Sequence, residues 1–337
     1  MFDVLELHRK LAAAARPSGS EQTGVAQVLQ TLAAPFVDEI TTDAMGNLIC
    51  HKKGPGERIM LVAHMDAIGF IVTGLDENGF ADFDGIGGHS PAELVNCRVV
   101  FPNGTHGIIR ARETSQTLSQ CWNQIRYTDL YLDIGASSLE EAQTLIRIGD
   151  MAAFEGLPEL AAGSRIVGPY ADDLIGCVVL LLTMEQAKAG NYDVYYVFST
   201  QEEVGCRGAL SAAQAIRPAL GIACDVCGVD DTPASPRKVP TRTLGNGPTI
   251  KIKDHSVICS PALNARLRQT ARDCQIPWQE EILTGGGTDT SAMQKALENV
   301  AATCVSIPTR HIHSPAETYD KTDAELAGRL LAAFLNT

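Results

Sequence analysis

The stretch Arg58-Ile59-Met60-Leu61-Val62-Ala63-His64-Met65-Asp66 is apolar without interruption from Ile59 to Ala63 and then changes character. A strand with one wet face alternates apolar and polar residues. An unbroken run of this length predicts a central strand buried on both faces, the kind found in parallel sheets covered by helices. The flanking sequence agrees. Upstream, 3–14 and 21–36 carry apolar residues at helical spacing around Pro17-Ser18-Gly19-Ser20, and 37–42 and 47–52 alternate like a hairpin across Asp43-Ala44-Met45-Gly46. Downstream of Gly163, helical stretches (176–189, 208–216, 261–274, 290–297, 324–335) are interleaved with strand-like runs (194–199, 221–226, 249–253, 280–283, 300–307). That order predicts an α/β fold, a mostly parallel sheet with helices on both faces. Residues 67–163 read differently. Short β-like runs are punctuated by Asn103-Gly104, Glu77-Asn78-Gly79 and the glycines of 85–88, as in a small β-barrel or sandwich, and 138–145 opens like a capped helix. The expected organisation is one α/β domain, 1–66 plus 164–337, interrupted by a β-rich insert, 67–163.

Composition narrows the function. A net charge of −13 argues against nucleic acid and against an anionic membrane surface. No apolar run reaches membrane-spanning length. The charges Asp3, Glu6, Arg9 and Lys10 in the first helical pattern do not fit a secretory signal. Ten cysteines without framework spacing read as reduced thiols. The expectation is an acidic cytoplasmic protein.

Ligands of open α/β sheets bind beyond the carboxyl ends of the strands. Those ends carry Ala63-His64-Met65-Asp66, Ser199-Thr200-Gln201-Glu202-Glu203, Cys224-Asp225-Val226 and Arg310-His311-Ile312-His313-Ser314-Pro315, and Asp172-Asp173 precedes a helix. Imidazole with carboxylate suits Zn²⁺, Co²⁺ or Mn²⁺. Two histidines and three carboxylates serve two metals if one carboxylate bridges, and the Glu202-Glu203 pair leaves one carboxylate over for proton transfer. Each residue also has an ordinary reading. His64 alone would be a hydrogen-bonded histidine, and Glu202-Glu203 alone a solvated helix start. His311 and His313 share a face on a strand, so spacing leaves both open. Cys224 and Cys227 form a CxxC without a second pair and read as buried thiols. Gly285-Gly286-Gly287-Thr288 lacks the lysine of a phosphate loop. Asp173 is either a support for the ligands or a helix-start acid.

The segments AHMDAIGF (63–70), LYLDIGASSLEEA (130–142), ADDLIG (171–176), STQEEVGCRGA (199–209), CDV (224–226), GGGTD (285–289) and PTRHIHSPAE (308–317) resemble, in order, the co-catalytic di-metal aminopeptidases. That family includes the tetrahedral (TET), glutamyl and deblocking aminopeptidases and proteins that have carried the name endoglucanase M. The resemblance implies a zinc-peptidase-like fold and hydrolysis of N-terminal peptide bonds by a two-metal-activated water. It assigns His64 and Asp225 to one metal, Glu203 and His313 to the other, and Asp172 to both. Glu202 becomes the general base and acid, and Asp66 the residue that orients His64. It also implies an insert that builds dimers, which assemble into a tetrahedral dodecamer. Three positions depart from the family pattern: Ala67 in place of Glu, Leu174 in place of Arg, and His311 in place of an aromatic. The rival readings are a di-metal deacylase or amidase of N-acyl amino acids, a catalytically silent assembly protein, and a glycosidase, which would need a carboxylate pair and no metal.

Overall fold

Two helices, α1 (Val4–Ala13) and α2 (Val25–Ala33), precede the strands β1 (Glu39–Thr42), β2 (Leu48–Lys52) and β3 (Arg58–His64). The structure is a computed structural model describing residues 2–113, 122–188, 190–233, 235, 241–298 and 300–337; Cys121 and Ala189 fall outside them. Every residue of β3 after Arg58 is buried. Ile59, Leu61 and Ala63 face one apolar core, Met60 and Val62 the other. This is the two-residue alternation of a strand covered on both sides.

The chain then leaves the sheet for β4 (Gly69–Leu75), β5 (Ala81–Ile86), β6 (Arg98–Val100), β7 (His106–Ala111), β8 (Leu130–Asp133) and β9 (Met151–Phe154), with α3 (Leu139–Leu145) between the last two. These strands close into an antiparallel barrel of order β4-β5-β8-β7-β6-β9. Phe70 meets Phe83 and Phe154 edge-on inside it, ring centres 5.5 and 5.3 Å apart, the favoured geometry for aromatic pairs.

After β10 (Glu159–Leu160) and β11 (Arg165–Gly168) come α4 (Ala171–Gln186), β12 (Asp193–Ser199), α5 (Arg207–Ile216) and β13 (Leu220–Gly228). The chain ends with β14 (Thr249–Lys253), α6 (Pro261–Asp273), β15 (Gln279–Ile282), α7 (Asp289–Ala296), β16 (Ala301–Arg310), β17 (Glu317–Asp320) and α8 (Lys321–Leu335). The eleven-stranded sheet runs β1-β2-β12-β3-β13-β16-β17-β11-β10, with β14 and β15 off this path. Its centre, β12-β3-β13-β16, is parallel, and antiparallel strands extend both flanks. Helices α4 and α8 fill one core, α5 and α7 the other.

Some differences from the sequence reading have physical reasons. Helix α4 was expected to begin at Gly176 and begins at Ala171, although Asp172 and Asp173 are not helical in φ and ψ. Asp173 Oδ1 accepts the Gly176 N–H at 3.1 Å, so its side chain caps the regular turns. Strands β10, β11 and β17 carry too few residues to show a periodicity, and only antiparallel pairing defines them.

Candidate active site

The parallel strands point their carboxyl ends the same way, and His64, Glu202, Glu203 and Asp225 follow from β3, β12 and β13 at that edge. Asp172 arrives from the start of α4, and His313 from the turn after β16. All of them line a cavity of about 270 Å³, together with Val226, Lys251, Leu283, Gly286, Gly287, Thr288 and Ile312. His311 is exposed and does not line it.

Asp172 lies at the centre. Its Oδ1 is 3.0 Å from His64 Nε2 and its Oδ2 is 3.3 Å from His313 Nε2. His313 Nε2 is also 3.3 Å from Glu203 Oε2. The other His64 nitrogen, Nδ1, is 3.0 Å from the Asp66 carbonyl. A carbonyl only accepts, so Nδ1 carries the proton and a neutral ring turns the Nε2 lone pair toward a carboxylate. Two acceptors face one another there, an arrangement that needs a cation or a second proton between them. Glu203 Oε1 is buried without a hydrogen-bond partner. These observations fit a divalent cation. His64, Asp172 and Glu203 offer donor atoms within 4.8 Å of one another, as do His64, Asp173 and Asp225. Within the second group Asp173 is already engaged, accepting from the Gly176 N–H and, at 3.1 Å, the His64 N–H. It therefore supports both the helix and the histidine.

Burial pushes the carboxyls of this cavity upward, Asp225 to about 8 with help from Asp172, and Glu202 and Glu203 in the same direction. Asp172 goes down against its burial, because the His313 and His64 rings beside it hydrogen-bond it whenever they carry a second proton. His313 rises to about 11 against its own burial, on Asp172 and Glu203. A nest of acids this dry holds its charge only with cations inside.

The profile of the M42 glutamyl aminopeptidases matches residues 46–330. The chain belongs to that family. It is a metallo-aminopeptidase. It is 32% identical to the lysyl aminopeptidase of Pyrococcus furiosus over 342 residues, covering 98% of this chain and 96% of that one. An aminopeptidase of Desulfurococcus kamchatkensis superimposes with a TM-score of 0.94 at 34% identity, covering 99% of this chain and 94% of that one. The TET1 peptidase of Pyrococcus horikoshii, which can assemble into a tetrahedron or a large octahedral shell, gives 0.88 at 31% identity with 99% of both chains covered.

In this M42 peptidase the two adjacent glutamates diverge. Glu203 turns to His313, while Glu202 Oε1 accepts from Cys206 Sγ at 3.1 Å. Asp66 holds the loop beneath both. Its Oδ1 and Oδ2 accept the N–H groups of Glu202 (3.0 Å) and Glu203 (3.2 Å), and Ser18 Oγ donates to Oδ2 at 2.6 Å. The Asp66 carboxylate itself stands 3.6 Å from His64 Nδ1, and the residue reaches that ring through its backbone carbonyl.

Several supports went unassigned in the sequence. Glu317, 2% exposed, accepts the N–H of Asp172 (3.1 Å) and of His313 (2.8 Å). It thereby ties two distant segments and stabilises His313 in its left-handed conformation (φ 65°). Only its place four residues beyond His313 hinted at a role. Asn47 and Glu21 hold the backbone of Thr200 and Gln201. Lys251 is buried between Asp254 (3.1 Å) and Glu281 (3.0 Å). Two barrel glycines also reach the site. A Cβ on Gly87 would lie 3.3 Å from Glu203 Oε2, and one on Gly88 3.2 Å from His313 Nδ1.

Ala67 and Leu174, two of the departures from the family pattern, are fully buried in the apolar core. Cys224 and Cys227 are free and buried. Gly286 and Gly287 line the cavity, and Thr288 caps α7 through the Thr290 N–H. Among the described residues no helix is long and apolar enough to cross a membrane.

Proposed function

We propose that this peptidase removes N-terminal residues from peptides with two divalent ions, Zn²⁺ in the first instance and Co²⁺ or Mn²⁺ as substitutes. His64 and Asp225 would hold one ion and Glu203 and His313 the other, with Asp172 shared between the two pairs. When bound, such ions supply an acidified water and positive charge against the oxyanion of the attacked carbonyl. Glu202 is placed to take a proton from the attacking water and to pass it to the departing amine. Asp66 fixes the relative position of base and ligand by holding both glutamate N–H groups, and Asp173 and Glu317 hold the backbones of His64, Asp172 and His313. The observation that carries this reading is the divergence of neighbours: Glu203 faces His313, Asp172 divides its oxygens between the two imidazoles, and Glu202 joins neither ring.

The test compares two isosteric changes. Glu202→Gln keeps volume and removes the proton acceptor, so kcat should fall by ~10²–10⁴ with metal content near wild type. Glu203→Gln should lower the metal content and regain activity at high metal concentration. Near-normal kcat in Glu202→Gln, or metal loss there and not in Glu203→Gln, overturns the assignment. Free-amine against N-acylated substrates separates this reading from a deacylase.

The same proposal includes assembly in the cytoplasm, with residues 67–163 building dimers that form a tetrahedral dodecamer. The shells of the Pyrococcus horikoshii relative support it. So do the exposed Trp122, Ile148, Leu157 and Leu160 on and beside the barrel, large apolar groups of the kind that interfaces cover. Light scattering should find a species well above the 36.0 kDa of one chain; a fully active monomer refutes it.

A further inference from the structure

Cys206 stands at the start of α5 in a left-handed conformation (φ 52°) that turns its sulfur toward Glu202. Opposite, at the start of α7, Asp289 is 2% exposed. Its Oδ2 accepts from Ser199 Oγ at 2.5 Å, and its Oδ1 is buried without a well-formed hydrogen bond, the Cys206 thiol being the polar group that faces the carboxyl. The Cys206 sulfur and one carboxylate oxygen each from Glu202 and Asp289 lie within 4.8 Å of one another. Neither Cys206 nor Asp289 has a part in the ligand set proposed above.

We propose that Glu202, Cys206 and Asp289 form a further cation site, which takes a thiophilic divalent ion of the zinc class and silences the enzyme by occupying Glu202. The donor set selects the ion. One thiolate and two carboxylates are three ligands that zinc accepts in a tetrahedral arrangement with one position left open. Magnesium and calcium favour all-oxygen shells, so the sulfur turns them away. Glu202 Oε1 and Cys206 Sγ, at 3.1 Å, already have roughly the spacing of two donors on one zinc ion. Asp289 Oδ1 is the buried acceptor such an ion would satisfy. Coordination displaces the thiol proton to solvent. A glutamate whose oxygen is committed to an ion no longer accepts a proton from water. The inhibitory half of the proposal rests on Glu202 being the base; the site itself does not.

The test uses the full-length protein stripped of metal and titrated with Co²⁺ as probe, in wild type, Cys206→Ala and Cys206→Ser. Bound equivalents are counted by elemental analysis, and thiolate ligation is read as a near-ultraviolet sulfur-to-cobalt charge-transfer band. Wild type should hold one equivalent more than either variant. The band should grow with that equivalent and be absent from both variants, and wild-type hydrolysis should fall more than tenfold as it binds. Mg²⁺ should produce neither band nor inhibition. Asp289→Asn, on a different helix, should weaken the same equivalent, which keeps the test sound should a Cys206 variant fold poorly. Equal stoichiometry and equal spectra in wild type and variants overturn the site. An extra equivalent with its band but undiminished hydrolysis upholds the site and overturns Glu202 as the base.

Discussion

The sheet edge and the loop after β5 meet at Glu203 and His313 and contribute opposite things there. From the sheet and its helices come His64, Asp172, Glu202, Glu203, Asp225 and His313, side chains whose charges burial makes costly. From the barrel come Gly87 and Gly88, which approach Glu203 and His313 through the absence of a side chain. The strands that end at the edge are locked into the sheet on both sides, so they can hold like charges close together. The loop after β5 has only to approach closely, and glycine allows that. One region supplies the chemistry and the other shapes the space around it.

Removing metal should produce the largest effect on that contrast. Prolonged chelation should take peptide hydrolysis below detection, and Zn²⁺, Co²⁺ or Mn²⁺ should restore part of it, measured on aminoacyl chromogenic substrates with parallel elemental analysis. Full activity in a metal-free preparation would leave the buried acids without a purpose.

A second, smaller effect is expected from Glu317, which belongs to the sheet and whose carboxylate accepts from the backbone N–H groups of Asp172 and His313. Glu317→Gln keeps the volume and loses one acceptor for the Asp172 and His313 N–H groups. Supports of ligands typically matter ~10–100-fold in metal affinity or activity. A metal titration of the variant followed by activity should show a loss in that range, relieved in part by excess metal.

The barrel is tested by Gly88→Ala. The added Cβ meets His313 Nδ1 at 3.2 Å, tighter than ordinary contact, so the ring or the loop must give by a few tenths of an ångström. Activity should fall by less than the Glu317 change, roughly the tenfold that outer supports cost at their weakest. An unchanged kcat/KM would make the close approach incidental, and a loss as large as that of Glu203→Gln would make the barrel a full partner in the chemistry.

The smallest effect on activity should come from two histidines, one in each region, His8 fully buried and His89 half-buried. Burial lowers His8, under α4, and His89, in the barrel, to about 4 each. His8 is held by the Tyr319 hydroxyl (3.0 Å) and the Tyr170 carbonyl (3.1 Å). A depressed histidine stays neutral in the folded chain while the unfolded chain takes up a proton below about 6.5. Stability is therefore full above that pH and falls on acidification toward 4, for His8 by about 3 kcal/mol. Denaturant titrations between pH 7 and 4 should show this slope flattened in His8→Gln, with hydrolysis at neutral pH unaffected. His89→Gln should flatten it too if sheet and barrel unfold as one unit. A separate barrel transition would show that the two regions unfold independently.

The apolar run of β3, the alternation of strand and helix after Gly163, and the polar clusters at the strand ends were legible because each is a local pattern. Period and burial are written into neighbouring residues, and a two-sided strand must be apolar throughout. The candidate ligands were legible for the same reason, since parallel strands deliver their carboxyl ends to a single edge. Glu317 was legible only through its place four residues beyond His313, because its other acceptor serves Asp172, 145 residues away, and no local pattern records that. The glycines of the 85–88 stretch read as a turn, and only the folded chain brings them against Glu203 and His313. Likewise Cys206 and Asp289 begin different helices, and only the packing of α5 beside α7 brings them together. By itself, then, the sequence determined the parallel core, the residues that could bind metal and the edge that carries them, since each depends on short-range periodicity. The tertiary structure decided that His313 and not His311 lines the cavity, that Glu203 and not Glu202 turns to His313, and what holds them there. Those outcomes depend on long-range contacts between side chains, which periodicity does not encode.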